Sequence, residues 1–153
     1  MIRPARAEDR PAAGRLWAES WRAAHAGAVS PAYAAAQTPR LYAEQLLAPG
    51  IETYVEEADG VLRGVLRLDT AAGEVQTLYV APDCQGRGVG GALLRFGVGR
   101  LLALGRRPWL GVLSVNARAR AVYGHCGFRP TGEEIVLDKA RDIRELRYRY
   151  EGL

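Results

Sequence analysis

Apolar positions along this chain change period several times, and each change marks an element. Residues 2–5 are short and read as an edge strand. From residue 8 to about 25, Leu16, Trp17, Trp21 and Ala24 recur at helical spacing in an alanine-rich background, which predicts an amphipathic helix. Residues 27–31 break it, and a second helix is expected over about 39–47, stopping before Pro49-Gly50. The period then falls to two. Residues 52–57 and 61–68 read as strands around an Asp59-Gly60 hairpin signal, and after a turn at 71–73 residues 74–80 read as the next strand.

Beyond residue 80 the pattern is interrupted by glycine. Four glycines, Gly86, Gly88, Gly90 and Gly91, fall within six positions after Gln85, and helical periodicity resumes at once. The helix is expected over about 88–104, with Leu93, Leu94, Val98, Leu101 and Leu102 inward. Gly97 and Gly99 inside it each cost roughly 1 kcal/mol relative to alanine, which close packing would explain. A glycine-rich turn feeding a helix start suits an anion: the backbone can approach closely, and the first-turn N–H groups point at the ligand. The expected ligand is a phosphate or pyrophosphate. Residues 109–115 then read as a central strand, and Asn116 as the N-cap of a short helix reaching about Cys126, which Gly127 ends. Residues 128–137 and 143–150 read as a closing antiparallel pair.

With 153 residues, 48% apolar and 25% charged, the chain is expected to be one globular domain over residues 1–153. Cys84 and Cys126 make neither a disulfide framework nor a metal-ligand spacing, so no metal is expected and the setting read is reducing and cytoplasmic. The N-terminus has no signal-peptide pattern, and no run of 18 apolar residues predicts a membrane span. Charge is more telling in its distribution than in its sum of +4. Between Cys84 and Gly132 there is no acidic residue, while Arg87, Arg95, Arg100, Arg106, Arg107, Arg118, Arg120 and Arg129 all lie there. This asymmetry favours an anionic partner on that side.

Gly86-Arg87-Gly88-Val89-Gly90-Gly91 satisfies the dinucleotide-binding pattern G-x-G-x-x-G, but its context does not. Five residues intervene after Val80, and no acid occurs until Glu133 to hold a ribose. There is no G-K-[ST] either, which excludes a P-loop. A second motif decides between phosphate-binding folds. Residues 116–128 have the form N-x-x-A-x-x-x-Y-x-x-x-G-F, with Asn116, Ala119, Tyr123, Gly127 and Phe128. Together with Gln85-x-x-Gly88-x-Gly90, this resembles the GNAT family of acetyl-coenzyme-A-dependent N-acetyltransferases.

The resemblance implies an α/β (α+β) fold in a single domain, a mixed central sheet of about seven strands flanked by about four helices. It also implies that the strand before the glycines splays from its parallel neighbour, with pantetheine in the gap. Leu78, Tyr79 and Val80 would then contact pantetheine, and Gln85, Gly86, Arg87, Gly88, Val89, Gly90 and Gly91 would carry the pyrophosphate of acetyl-CoA. Asn116 would hydrogen-bond the cosubstrate, with simple N-capping as the plainer reading. Tyr123 would protonate the departing thiolate, with buried packing as the alternative. The acceptor, a primary amine of a small molecule or peptide, must lose a proton before it attacks. Glu74, eleven residues before Gln85, is the candidate base, against an exposed strand-end charge. The N–H of Val80 is the candidate oxyanion donor. Trp21, His25 and Tyr33 are candidates for the acceptor pocket. His125 should point away from Tyr123, and the two cysteines are bystanders.

Two other classes stay open at this point. A domain of this fold can bind acyl-coenzyme A without catalysis, as a sensor or interaction module. The arginine-rich stretch also permits nucleic-acid binding, but no aromatic ladder is interleaved with it for bases to stack on. The closing strands offer a surface for a homodimer. No motif identifies the acceptor.

Overall fold

The structure is a computed structural model that describes residues 1–25, 27–140 and 142–153. One seven-stranded sheet contains β1 (Ile2–Pro4), β2 (Glu52–Ala58), β3 (Val61–Asp69), β4 (Glu74–Val80), β5 (Trp109–Leu113), β6 (Phe128–Asp138) and β7 (Ile143–Tyr150). Their order is β1-β2-β3-β4-β5-β7-β6. Every neighbouring pair is antiparallel except β4 and β5, which run parallel. The helices are α1 (Arg10–His25), α2 (Pro31–Ala36), α3 (Pro39–Gln45), α4 (Val89–Ala103) and α5 (Ala117–His125). The Asp59-Gly60 turn has φ of 52° and 76°, the paired positive values that a tight hairpin requires.

The sequence pattern did not predict α2. Its residues Pro-Ala-Tyr-Ala-Ala-Ala have no apolar stripe and none is buried, so periodicity is silent there. The readable signal was at its start. Ser30 Oγ accepts from Tyr33 N at 3.2 Å, and proline follows directly at the first helical position.

The sheet is covered on both faces. α4 lays Leu93, Leu94, Val98 and Leu101 on Leu66, Leu68, Val75, Leu110 and Val112, and α5 completes this side with Tyr123 and Ala119. A fully buried leucine of this kind contributes roughly 1.5–3 kcal/mol. On the opposite face α1 packs Ala13 and Leu16 on Val55, Val65 and Tyr79. Two glycines set how closely α4 approaches. A Cβ at Gly64 would lie 2.5 Å from Leu93 Cδ1, and one at Gly97 would lie 3.1 Å from Leu66 Cδ2. Close packing therefore accounts for Gly97. Gly99 has nothing within 4 Å, and the structure gives no account of it.

Candidate functional site

The site begins where the sheet fails to close. β4 and β5 share one register pair, Glu74 with Trp109, and beyond it the two strands part. A cavity of about 1110 Å³ fills the split and runs from the α4 and α5 side to the α1 side. Its wall on β4 is shaped by a bulge. Val75 pairs with Leu68 and Thr77 with Arg67, leaving Gln76 as the extra residue. Val75 and Leu78, three apart, consequently face α4 together, while Thr77 and Tyr79 face α1.

Backbone direction follows from the same ladder. Ala81 N donates to Arg63 O at 2.8 Å, which makes Val80–Gly64 a non-hydrogen-bonded pair. The N–H and C=O of Val80 therefore turn away from β3, into the split. By alternation Leu78 does the same, whereas Tyr79 turns its backbone to β3 and offers only its side chain. The Val80 carbonyl is satisfied by Ser20 Oγ at 2.8 Å and Gln85 Nε2 at 3.3 Å. With β5 gone, the Leu78 and Val80 N–H groups have no strand to pair with.

The glycine turn supplies more unpaired donors. Gly86 and Gly88 have φ of 78° and 83°, and Gly88 is the N-cap of α4. The first helical bond runs from Ala92 N to Gly88 O, so the N–H groups of Val89, Gly90 and Gly91 precede the ladder and stay open. A Cβ at Gly90 would meet Val80 Cγ2 at 3.3 Å, so small size keeps the helix start against the end of β4. Leu78, Tyr79, Val80, Gln85, Gly86, Gly88, Val89, Gly90 and Gly91 all line the cavity; Arg87 is exposed beside it and does not.

Asn116 and Tyr123 form the facing wall on α5. Asn116 Oδ1 accepts from Ala119 N at 3.1 Å, which caps the helix. Its Nδ2 has no partner among the described residues, so one amide end caps while the other is open to a ligand. Burial pushes the Tyr123 phenol up to about 12. The Tyr79 phenol is raised too, by burial first and then by the neighbouring Tyr123.

The α1 end of the cavity is aromatic. Trp21 lies 4.9 Å from His25 and 5.9 Å from Tyr33 between ring centroids, and His25 meets Tyr79 edge-on at 6.3 Å. Sequence reasoning named Trp21, His25 and Tyr33, and all three line the cavity. His25 is buried with Nδ1 lacking a hydrogen-bond partner. Burial lowers its pKa, against a smaller upward pull from the Trp21 carbonyl, so the ring is neutral at pH 7. His125 is exposed on α5 and lies off the cavity.

Glu74 sits at the closed end of the split and does not line the cavity. Burial, then Asp69 and Glu145, raise its pKa, while Arg147 opposes them. Glu145, which no sequence pattern singled out, does line the cavity. Five of the eight clustered arginines are committed elsewhere. Arg100 and Arg107 pair with Glu52 and Glu151, and Arg106, Arg120 and Arg129 hold backbone carbonyls. Arg87, Arg95 and Arg118 have no such partner among the described residues, and Arg118 is on the cavity wall.

A family model described as the acetyltransferase (GNAT) family matches residues 14–128. The chain belongs to the GNAT family. Acetyl transfer from acetyl-CoA is the chemistry of its members. A mycothiol acetyltransferase of Beutenbergia cavernae is 44% identical over 79 residues, covering 49% of this chain and 27% of that protein. The match thus spans only about a quarter of that curated relative's length. Among solved structures, YjaB of Escherichia coli superposes with a TM-score of 0.80 at 23% identity, covering 100% of this chain and 98% of that one. The PaiA N-acetyltransferase of Thermoplasma acidophilum, solved in complex with coenzyme A, gives 0.76 at 22% identity, with 98% of each chain covered. These two likenesses speak for the fold. Among the described residues no cluster of metal ligands occurs, and no helix is long and apolar enough to cross a membrane.

Proposed function

We propose that the protein transfers an acetyl group from acetyl-CoA to a primary amine by direct attack in a ternary complex. One observation carries the reading. A single cavity is lined by the free N–H groups of Leu78 and Val80, by the open first turn of α4, and by Tyr123 from the opposite wall. In this reading the first turn of α4 and the glycine turn hold the pyrophosphate. Leu78 donates along the pantetheine chain, and the Val80 N–H serves the developing oxyanion. Asn116 donates through Nδ2 while its oxygen caps α5.

Tyr123 is the proton donor to the sulfur. At about 12 its phenol is fully protonated at any working pH. Relative to a thiol of ordinary pKa near 8.5 it is the weaker acid. Desolvation in the same cavity disfavours the thiolate as well, which narrows that gap. Glu74, being off the cavity, reaches an acceptor only through an intervening group. Both cysteines are free and buried, which suits a reducing compartment.

Calorimetric titration with acetyl-CoA, beside NADH, tests the binding half. Micromolar affinity for the thioester alone is expected; a folded protein that ignores acetyl-CoA overturns the reading. Amine-dependent thiol release that vanishes in Tyr123→Phe tests the catalytic half, and tight binding with no release to any amine would indicate a sensor instead.

A further inference from the structure

We propose that Glu145 is the carboxylate that receives the acceptor's ammonium group and takes its proton. The inference rests on the acetyl-transfer reading above. β7 is antiparallel to β5, pairing Leu110 with Tyr148 and Val112 with Leu146. Those four residues belong to the core under α4. Glu145, opposite Leu113, therefore projects to the other face, the one that carries Tyr79 and α1.

Its carboxylate leans back over Gly111. A Cβ at Gly111 would come within 2.7 Å of Glu145 Cδ and 3.0 Å of Cγ, so glycine alone leaves that place to the acid. Both residues line the cavity. Among the described residues no hydrogen bond or ion pair reaches this carboxylate. The nearby cations of β7 are engaged elsewhere: Arg144 with Asp142 and Glu134, and Arg147 with Glu133 and the Trp109 ring. Glu74 lies behind it, close enough for the Glu145 charge to be felt there. Two acids at this end attract an ammonium group and repel a carboxylate beside it, so amines without an adjacent carboxylate are the favoured class.

The protons balance as follows. Glu145 takes one proton from R–NH3⁺, and the freed lone pair forms the N–C bond to the thioester carbonyl. The C–S bond then breaks, Tyr123 gives its proton to sulfur, and the resulting phenolate recovers one from the acylated nitrogen. Glu145 returns its proton to water. The sum is R–NH3⁺ plus acetyl-CoA giving the N-acetyl amine, CoA thiol and H⁺.

The test compares wild type with Glu145→Gln and Gly111→Ala. The probes are 2-phenylethylamine, spermidine and L-alaninamide as protonated acceptors, with hydroxylamine as an acceptor mostly unprotonated at neutral pH. For each protonated amine that wild type acetylates, Glu145→Gln should lower kcat/KM by about 10²–10⁴-fold. Binding of that amine to the CoA-saturated protein should weaken as well. Hydroxylamine turnover should stay within about fivefold and acetyl-CoA affinity within about twofold, as for a group that touches only a charged acceptor. Gly111→Ala, which displaces the carboxylate without removing it, should follow the same pattern. Amine kcat/KM kept within about twofold in Glu145→Gln overturns the assignment. So does parallel loss of hydroxylamine turnover and acetyl-CoA binding. A wild type that acetylates hydroxylamine but no protonated amine overturns Glu145 alone. One that binds no acetyl-CoA overturns the proposed function, and this inference with it.

Discussion

At the α4 end of the cleft the groups that face a ligand are main-chain donors, the N–H groups of Leu78, Val80, Val89, Gly90 and Gly91. At the α1 end they are side chains brought from distant parts of the chain, Trp21, His25 and Tyr33 from the first forty residues and Glu145 from β7. A backbone site needs glycine, capping and strand residues in a fixed local order, so it leaves a motif. A side-chain site needs only that certain atoms converge, and many sequences achieve that. The difference also predicts how each end fails. Substitution at the first should disturb binding of the cosubstrate; substitution at the second should disturb the acceptor and spare the cosubstrate.

The largest effect is expected where the two ends meet. Tyr123→Phe should lower kcat by about 10²–10⁴-fold while acetyl-CoA affinity hardly changes, as read by thiol-release kinetics and calorimetry. Loss of binding in step with kcat would make Tyr123 a packing residue and blur the contrast.

Gly88→Val comes next. A β-branched residue at φ of 83° costs at least about 1–2 kcal/mol and deforms the turn that presents the open N–H groups. Acetyl-CoA affinity should fall about tenfold or more, with an intact far-ultraviolet spectrum. Normal affinity would remove the glycine turn from the site.

Asn116 separates its two amide ends. Asn116→Ala removes both cap and donor and should cost about 1 kcal/mol of stability. Asn116→Asp keeps the capping oxygen and should keep the stability. Both should weaken acetyl-CoA binding if Nδ2 is the donor; weakening in the alanine variant alone would assign Asn116 to the cap.

The smallest effect concerns His25. Its pKa is depressed in the fold, so the stability it lends is present above its unfolded pKa of about 6.5 and is lost as pH falls through the lower folded value. Melting temperature should drop between pH 7 and pH 5.5, and His25→Gln should flatten that slope. An unchanged slope would mean that the ring is hydrated and the aromatic end of the cleft open to water.

The fold was legible because its elements announce themselves locally. The Asp59-Gly60 hairpin, the glycine turn before α4 and Asn116 before α5 each carry their own chemical reason. α2 was missed because six mostly alanine residues on the surface have no apolar stripe, although Ser30-Pro31 marks its start. The bulge at Gln76 was invisible because nothing in the strand's composition requires it, yet it decides that Leu78 rather than Thr77 shares a face with Val75. For the same reason alternation alone does not separate the backbone of Tyr79, turned to β3, from those of Leu78 and Val80. Glu74 has a suggestive distance from the glycine turn, but that distance places it where β4 and β5 are still paired. Glu145 has no local signature. Its placement depends on the register of β7 against β5 and on a glycine 34 positions earlier, which only the assembled sheet brings together.

The most direct test of a cleft lined with unpaired backbone donors is residue-resolved amide exchange, with and without acetyl-CoA. Added cosubstrate should slow exchange at Leu78, Val80, Val89, Gly90 and Gly91, and leave Tyr79, already bonded to β3, little changed. Binding with no protection at those five amides, or with protection elsewhere, would contradict the account.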